Sequence, residues 1–133
     1  MGDTKTKGDL GVGMVIAEAL RRGYKVALPM GENWPFDLIV QRDGKLERVQ
    51  CKYAESDGKV VEVRCRSTSD WVQYKYTTKE VDWIACYDKT TDRCYFIPAT
   101  LLGTGRSILH LRLVTSQNGQ TKNVRKAEDF LKW

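Results

Sequence analysis

Asp37-Leu38-Ile39-Val40-Gln41-Arg42-Asp43-Gly44-Lys45-Leu46-Glu47-Arg48-Val49-Gln50-Cys51-Lys52 is the stretch whose reading decides the fold. Two apolar-rich runs flank Asp43-Gly44, and an Asp-Gly pair between strand-like runs is a strong hairpin signal. With Asp43 and Gly44 as the two turn residues, Asp37 falls opposite Gln50. Side chains alternate along a strand, so Gln50 and Lys52 share one face and Val49 and Cys51 take the other. An acid, an amide oxygen and an ammonium therefore converge at one strand end. Those groups suit metal-assisted attack on a phosphodiester. The competing reading is a strand start beside a solvated sheet face, because half-buried strands alternate apolar and polar residues anyway.

The flanking sequence favours the first reading. Pro35-Phe36 holds an extended entry to the strand, and Tyr24 to Pro29 supplies an earlier strand-like run. Before it, Val12, Val15, Ile16, Ala19 and Leu20 fall at helical spacing. The helix is expected over about Asp9–Arg22, with Asp9 at its start, Arg21 and Arg22 in its last turn and Gly23 as its stop. Strands are expected at Lys25–Leu28, Phe36–Gln41, Leu46–Tyr53, Val60–Arg66, Trp83–Asp88, Arg93–Ile97 and Ser107–Val114. The segment Ser67–Thr78 reads as a polar, aromatic connection and Thr115–Thr121 as a polar loop. Ala99–Leu102 reads as one helical turn and Lys126–Leu131 as a short helix. No repeat and no long linker divides the chain. A single domain over residues 1–133 is expected, α+β (mixed α/β), with a central mixed sheet flanked by helices.

The order of helix, strand, Pro-x-Asp strand, hairpin and Gln-x-Lys strand resembles the PD-(D/E)XK nuclease superfamily, with its restriction-endonuclease-like core. The matching motifs are Pro35-Phe36-Asp37 and Gln50-Cys51-Lys52. Further stretches resemble the group I intron-associated PD-(D/E)XK homing endonucleases. They are Lys7-Gly8-Asp9-Leu10-Gly11-Val12, Arg48 to Tyr53, Cys94-Tyr95-Phe96-Ile97-Pro98, Leu111-Arg112-Leu113, Asn118-Gly119-Gln120 and Ala127-Glu128-Asp129. Together they cover nearly the whole chain. Gln50 in place of the usual acid looks like a substitution that this intron-associated group carries.

The resemblance implies a Mg²⁺-dependent DNA endonuclease, with Mn²⁺ as the alternative ion. Asp37, the Gln50 side-chain carbonyl and the Cys51 backbone carbonyl would hold the metal. Lys52 would orient or deprotonate the attacking water and stabilise charge on the phosphate. Such enzymes often carry another acid on the first helix, about 25 residues before the motif Asp. Here that position is Val12 or Gly13. Asp9 lies nearby on a similar face and is taken as the helical acid, against a plain capping role; Glu18 and Glu32 are the reserves. A double-strand cut needs two active sites, so a homodimer or a tetramer is expected on a palindromic or pseudo-palindromic target. A homing-type endonuclease is the first expectation. A Holliday junction resolvase on branched DNA is the alternative. A DNA-binding module that has lost catalysis is the second alternative, motivated by the neutral Gln50 and the missing helical acid.

Composition fits one globular domain. The chain has 133 residues, 41% hydrophobic and 29% charged, with a formal net charge of +5. The pI is about 9.1. A basic balance favours polyanion partners. Arg64, Arg66, Lys75 and Lys79 are interleaved with Trp71, Tyr74 and Tyr76, a mixture suited to phosphate contacts plus stacking. The opposing reading is a solvated face with core aromatics. Lys122, Arg125 and Lys126 read as a solvated helix face. No run approaches the length of a membrane span and no signal peptide is visible, so a cytoplasmic protein of bacterial or phage type is expected. Cys51, Cys65, Cys86 and Cys94 lack zinc-site spacing and read as buried thiols, with Cys86 and Cys94 packed rather than bridged. Gly11-Val12-Gly13 lacks the strand and third glycine of a dinucleotide fingerprint. Ser67, Thr68 and Ser69 lack a partner His for a hydrolytic triad.

Overall fold

The structure is a computed structural model that describes residues 3–69, 72–114 and 124–133. Trp71, Lys122 and the expected polar loop at 115–121 lie outside the described residues. Helix α1 (Thr4–Arg21) starts five residues before the expected Asp9. Asp3 is the N-cap, accepting a hydrogen bond from Thr6 N–H at 2.8 Å. Residues 4–8 carry no apolar side chain, so hydrophobic spacing could not register that first turn. The helix ends as a Schellman motif: Gly23 N–H reaches the Leu20 carbonyl and Tyr24 N–H the Ala19 carbonyl, both at 3.0 Å, with Gly23 at φ 81°.

Strands β1 (Lys25–Ala27), β2 (Leu38–Arg42), β3 (Lys45–Ala54), β7 (Trp83–Asp88) and β8 (Arg93–Pro98) form a mixed sheet in the order β1-β2-β3-β7-β8. The β2–β3 hairpin has the anticipated register, with Leu38 opposite Val49 and Arg42 opposite Lys45. Its turn residues Asp43 and Gly44 have φ of 51° and 75°, the left-handed pair that a type I′ turn requires. β3 then runs parallel to β7, Cys51 beside Ala85 and Ala54 beside Asp88.

The central strands are buried on both faces, and their alternation feeds two cores. One lies beneath α1 and joins Val15 to Leu38, Val49, Cys51, Ala85 and Phe96. The other joins Ile84, Cys86, Tyr95 and Ile97 to Val61, Val63, Leu109 and Leu111. The last four belong to an antiparallel pair, β4 (Val60–Arg64) and β9 (Ile108–Arg112), which covers the sheet face away from α1. Cys86 and Cys94 point into opposite cores, and all four cysteines are free and buried.

The expected strand at Val60–Arg66 breaks at Cys65. Beyond it, β5 (Arg66–Ser69) and β6 (Val72–Lys75) make a separate hairpin where a connection was expected. β6 alternates Val72 and Tyr74 with Gln73 and Lys75 yet is exposed along its length, so its pattern is also that of a polar, aromatic connection. The last strand is shorter than expected, and the expected helix at Lys126–Leu131 is a 3-10 turn, Ala127–Phe130. A second 3-10 turn occupies Ala99–Leu102, as anticipated. No helix among the described residues is long and apolar enough to cross a membrane.

Candidate active site

Asp37 stands just ahead of β2, held by three local causes. Phe36 anchors the entry to the strand in the second core. Asp37 N–H donates to the Val49 carbonyl at 2.9 Å, extending the ladder by one residue. Its Oδ2 accepts the Cys51 N–H, also at 2.9 Å. The carboxylate is thereby fixed against β3, half-buried, with acceptor capacity to spare. The N–H and C=O of a strand residue point to the same side. The Cys51 carbonyl therefore also turns toward Asp37, past the end of β2. The Cys51 thiol points the other way, into the core beneath α1, and burial pushes it well above its ordinary pKa.

Gln50 and Lys52 flank Cys51 on the opposite face of β3, both half-buried. Burial pushes the Asp37 carboxyl above the usual range; the Cys51 N–H and the Lys52 charge oppose that shift. Burial likewise pushes the Lys52 ammonium down, against the Asp37 charge. The two charges are thus electrostatically coupled, although no ion pair within 4.0 Å joins them. Lys52 Nζ donates instead to the Arg66 carbonyl at 2.9 Å and lies 5.2 Å from the centre of the Tyr76 ring. Opposed pKa shifts on neighbouring acid and base groups are a mark of functional sites.

The first helix approaches this strand closely. A β-carbon on Gly11 would come within 3.1 Å of the Lys52 carbonyl oxygen. That contact orients α1 and settles the position of Asp9. Two residues along a helix is a rotation of about 200°, so Asp9 projects away from β3. It is exposed and sits mid-helix. Asp9 thus stands apart from Asp37 and Lys52, and the helix cap is Asp3. Glu18 pairs with Arg22 at 2.8 Å and Arg21 at 3.6 Å, lining a separate depression of about 260 Å³ with Cys94 and Tyr87. Glu32 is exposed on the loop before Asp37. Among the described residues no three His, Cys, Asp or Glu side chains gather as a metal-holding group.

A groove of about 930 Å³ opens from Lys52, between the first turns of α1, the loop after β3 and the β4–β6 region. Lys7, Arg64 and Arg66 contribute positive charge to it, and Glu55, Asp57 and Glu62 negative charge. Lys7 and Glu55 pair across one rim at 3.3 Å. Arg64 and Arg66 thus share the groove wall with Lys52. Tyr74 and Lys75 are exposed on β6, and Lys79 is exposed in the turn beyond. Tyr76 is different. It is 4% exposed and packs in the core against Lys52, because its side chain falls on the inward side where β6 ends. It has no free face for DNA, which corrects its grouping with the surface aromatics. Lys7 and Gln73 also line the groove. Lys7 lies in a stretch already similar to the intron-associated enzymes, whereas nothing in the sequence distinguishes Gln73.

The chain matches the PD-(D/E)XK endonuclease family over residues 2–132 and belongs to it. It is a nuclease by that membership. A solved structure of a bacterial homing endonuclease, I-Ssp6803I, aligns with a TM-score of 0.72 at 26% identity. The alignment covers 91% of this chain and 84% of that one. No curated protein matches the chain.

Proposed function

We propose that this PD-(D/E)XK endonuclease cuts double-stranded DNA at a specific site, as a homing-type enzyme dependent on Mg²⁺, with Mn²⁺ as the alternative ion. The observation that carries the reading is the Asp37 carboxylate seated on the Cys51 N–H, beside Cys51 and Lys52, which line a groove with Arg64 and Arg66 on its wall. The likeness to a bacterial homing endonuclease supports the homing role over the junction-resolving one.

The donors present are oxygens of Asp37, Gln50 and the Cys51 backbone, which suit a hard cation. One carboxylate is few, yet Mg²⁺ commonly keeps several waters and takes one or two carboxylates plus substrate phosphates. When bound, the ion would polarise a phosphoryl oxygen and acidify a coordinated water. Asp37 supplies the anionic contact, pre-oriented by the Cys51 N–H, and Gln50 adds a neutral oxygen without extra charge. Lys52 directs an ammonium to the phosphate, where it orients the attacking water and offsets the charge that grows in the transition state. Arg64 and Arg66 hold the DNA backbone through phosphate contacts, which position the duplex without reading its sequence. The active form is a homodimer or tetramer, pairing two sites for the two strands.

The test uses purified protein, Mg²⁺ and two labelled substrates: a randomised linear duplex library read by sequencing, and a four-way junction. The expected result is cleavage of a small related set of linear sequences, lost by roughly 10²-fold or more in Lys52→Ala. Symmetric nicking of the junction regardless of arm sequence would make the enzyme a resolvase. Binding without cleavage of either substrate would mark a DNA-binding module.

A further inference from the structure

We infer that Tyr76 is the positioning residue of Lys52, and that it ties the ammonium to the base of the β5–β6 hairpin. The inference rests on the role proposed for Lys52.

A lysine side chain is a flexible four-carbon stem with many rotamers to lose. An ammonium that must meet a phosphate in one place needs anchors, because misplacing a reacting group by about 1 Å can cost on the order of 10²-fold in rate. Lys52 has two anchors, and both belong to the same hairpin base. The Arg66 carbonyl, at the first residue of β5, accepts from Nζ at 2.9 Å. The Tyr76 ring, one residue past the end of β6, presents its π system 5.2 Å from Nζ. A cation over an aromatic ring at this range is attracted by the ring's negative face.

The two anchors are locked to each other. Arg66 pairs with Lys75 in the hairpin, and Tyr76 N–H donates to the Cys65 carbonyl at 3.1 Å. Cys65 N–H in turn reaches the Ser107 carbonyl at 2.9 Å, fastening the hairpin base to the segment ahead of β9. Tyr76 also meets Tyr74 edge-on, 6.0 Å between ring centres at 76°. Tyr74 stands exposed on β6, so a continuous aromatic contact runs from the hairpin surface to the ammonium. Phosphate or base contacts made by the hairpin and the alignment of Lys52 therefore share one rigid part. The Tyr76 hydroxyl is not needed for this; the ring is.

The test combines a spectroscopic and a kinetic readout. In metal-free protein carrying ¹³C-labelled lysine, the Lys52 ε-methylene is assigned by its loss in Lys52→Arg. It is expected to resonate upfield of the other lysines through the Tyr76 ring current. Tyr76→Phe is expected to keep that shift and Tyr76→Leu to abolish it. In single-turnover cleavage of the duplex cut fastest from the randomised library, at saturating protein, Tyr76→Phe should stay within about twofold of the parent. Tyr76→Leu should be slower by roughly 10²-fold with duplex affinity unchanged. An unshifted Lys52 ε-methylene in the parent protein overturns the inference even if Tyr76→Leu does not fold. So does a folded Tyr76→Leu that cleaves at the parental rate while Lys52→Ala does not cleave. Parental cleavage by Lys52→Ala sinks the proposed role of Lys52 itself, and the kinetic half of this inference with it; the chemical shift still reports whether the ring holds the ammonium.

Discussion

Asp37 and Asp88 stand on either side of β3, one at the start of β2 beside Cys51, the other in β7 beside Ala54. Their surroundings differ in how far the protein satisfies each carboxylate. Asp88 is fully buried and accepts four hydrogen bonds: from Ser56 N–H and Oγ–H, both at 2.8 Å, from Thr91 N–H at 3.2 Å and from Thr91 Oγ–H at 2.9 Å. It clasps the loop after β3 to the turn after β7, and its lone pairs are spent on the protein. Asp37 accepts a single backbone N–H and carries the desolvation cost that shifts its pKa upward. A saturated carboxylate builds the fold. An under-bonded one, held in place at some cost, keeps oxygens for a ligand.

Substitution should separate the two sharply. Asp37→Asn keeps an oxygen for the Cys51 N–H and removes only the charge. Cleavage is expected to fall by roughly 10³-fold, with the melting temperature held or raised. A cleavage assay beside a thermal melt checks both halves. If Asp37→Asn cut normally, the contrast between a structural and a reactive carboxylate would collapse. Asp88→Ala should do the opposite, stranding buried donors at a cost of about 3 kcal/mol in urea unfolding. At a temperature where it remains folded, it should retain DNA affinity.

The pH dependence sharpens the same contrast. Asp37 has a raised folded-state pKa, so the folded protein binds its proton more tightly than the unfolded chain does. The stability this confers is present at low pH and is lost as pH rises through the raised value. In a chelating buffer, the stability of Asp37→Asn relative to the parent should therefore grow as pH climbs just above the usual carboxylate range. A constant difference across that window would show that Asp37 is not desolvated. The smallest effect is expected at the helix contact. Gly11→Ala has to push α1 and the Lys52 carbonyl apart, costing about 1–2 kcal/mol. Its cleavage rate is expected to fall as well, because the carbonyl that moves belongs to the proposed catalytic lysine.

The hairpin and its register were legible because their signal is local: Asp43-Gly44 sets the turn, and alternation on either side assigns faces to Gln50, Cys51 and Lys52. The parallel β3–β7 pairing was not, since nothing near Cys51 names Ala85 as its neighbour. Asp3 is not legible as the helix cap, because the first turn behind it, from Thr4 to Gly8, carries no apolar side chain. The direction of Asp9 is not legible from the spacing of Val12 and Val15, because only the fold shows that Gly11 meets β3. Tyr76 looked like Tyr74 in sequence, two residues apart on a strand-like run. At the end of β6 the chain turns inward, and only the tertiary fold separates a surface ring from a buried one.

The wall of the groove also has a history within each folding event. Asp37 and Lys52 are brought together by a tight hairpin, a contact between near neighbours in the chain that carries a small loop-closure cost. Arg64 lies in β4, whose ladder partner among the described residues is β9, so Val61 must wait for Leu111. Contacts of such long range form slowly. A chain emerging from the ribosome can thus pair its acid and its lysine well before the groove wall that carries Arg64 is complete.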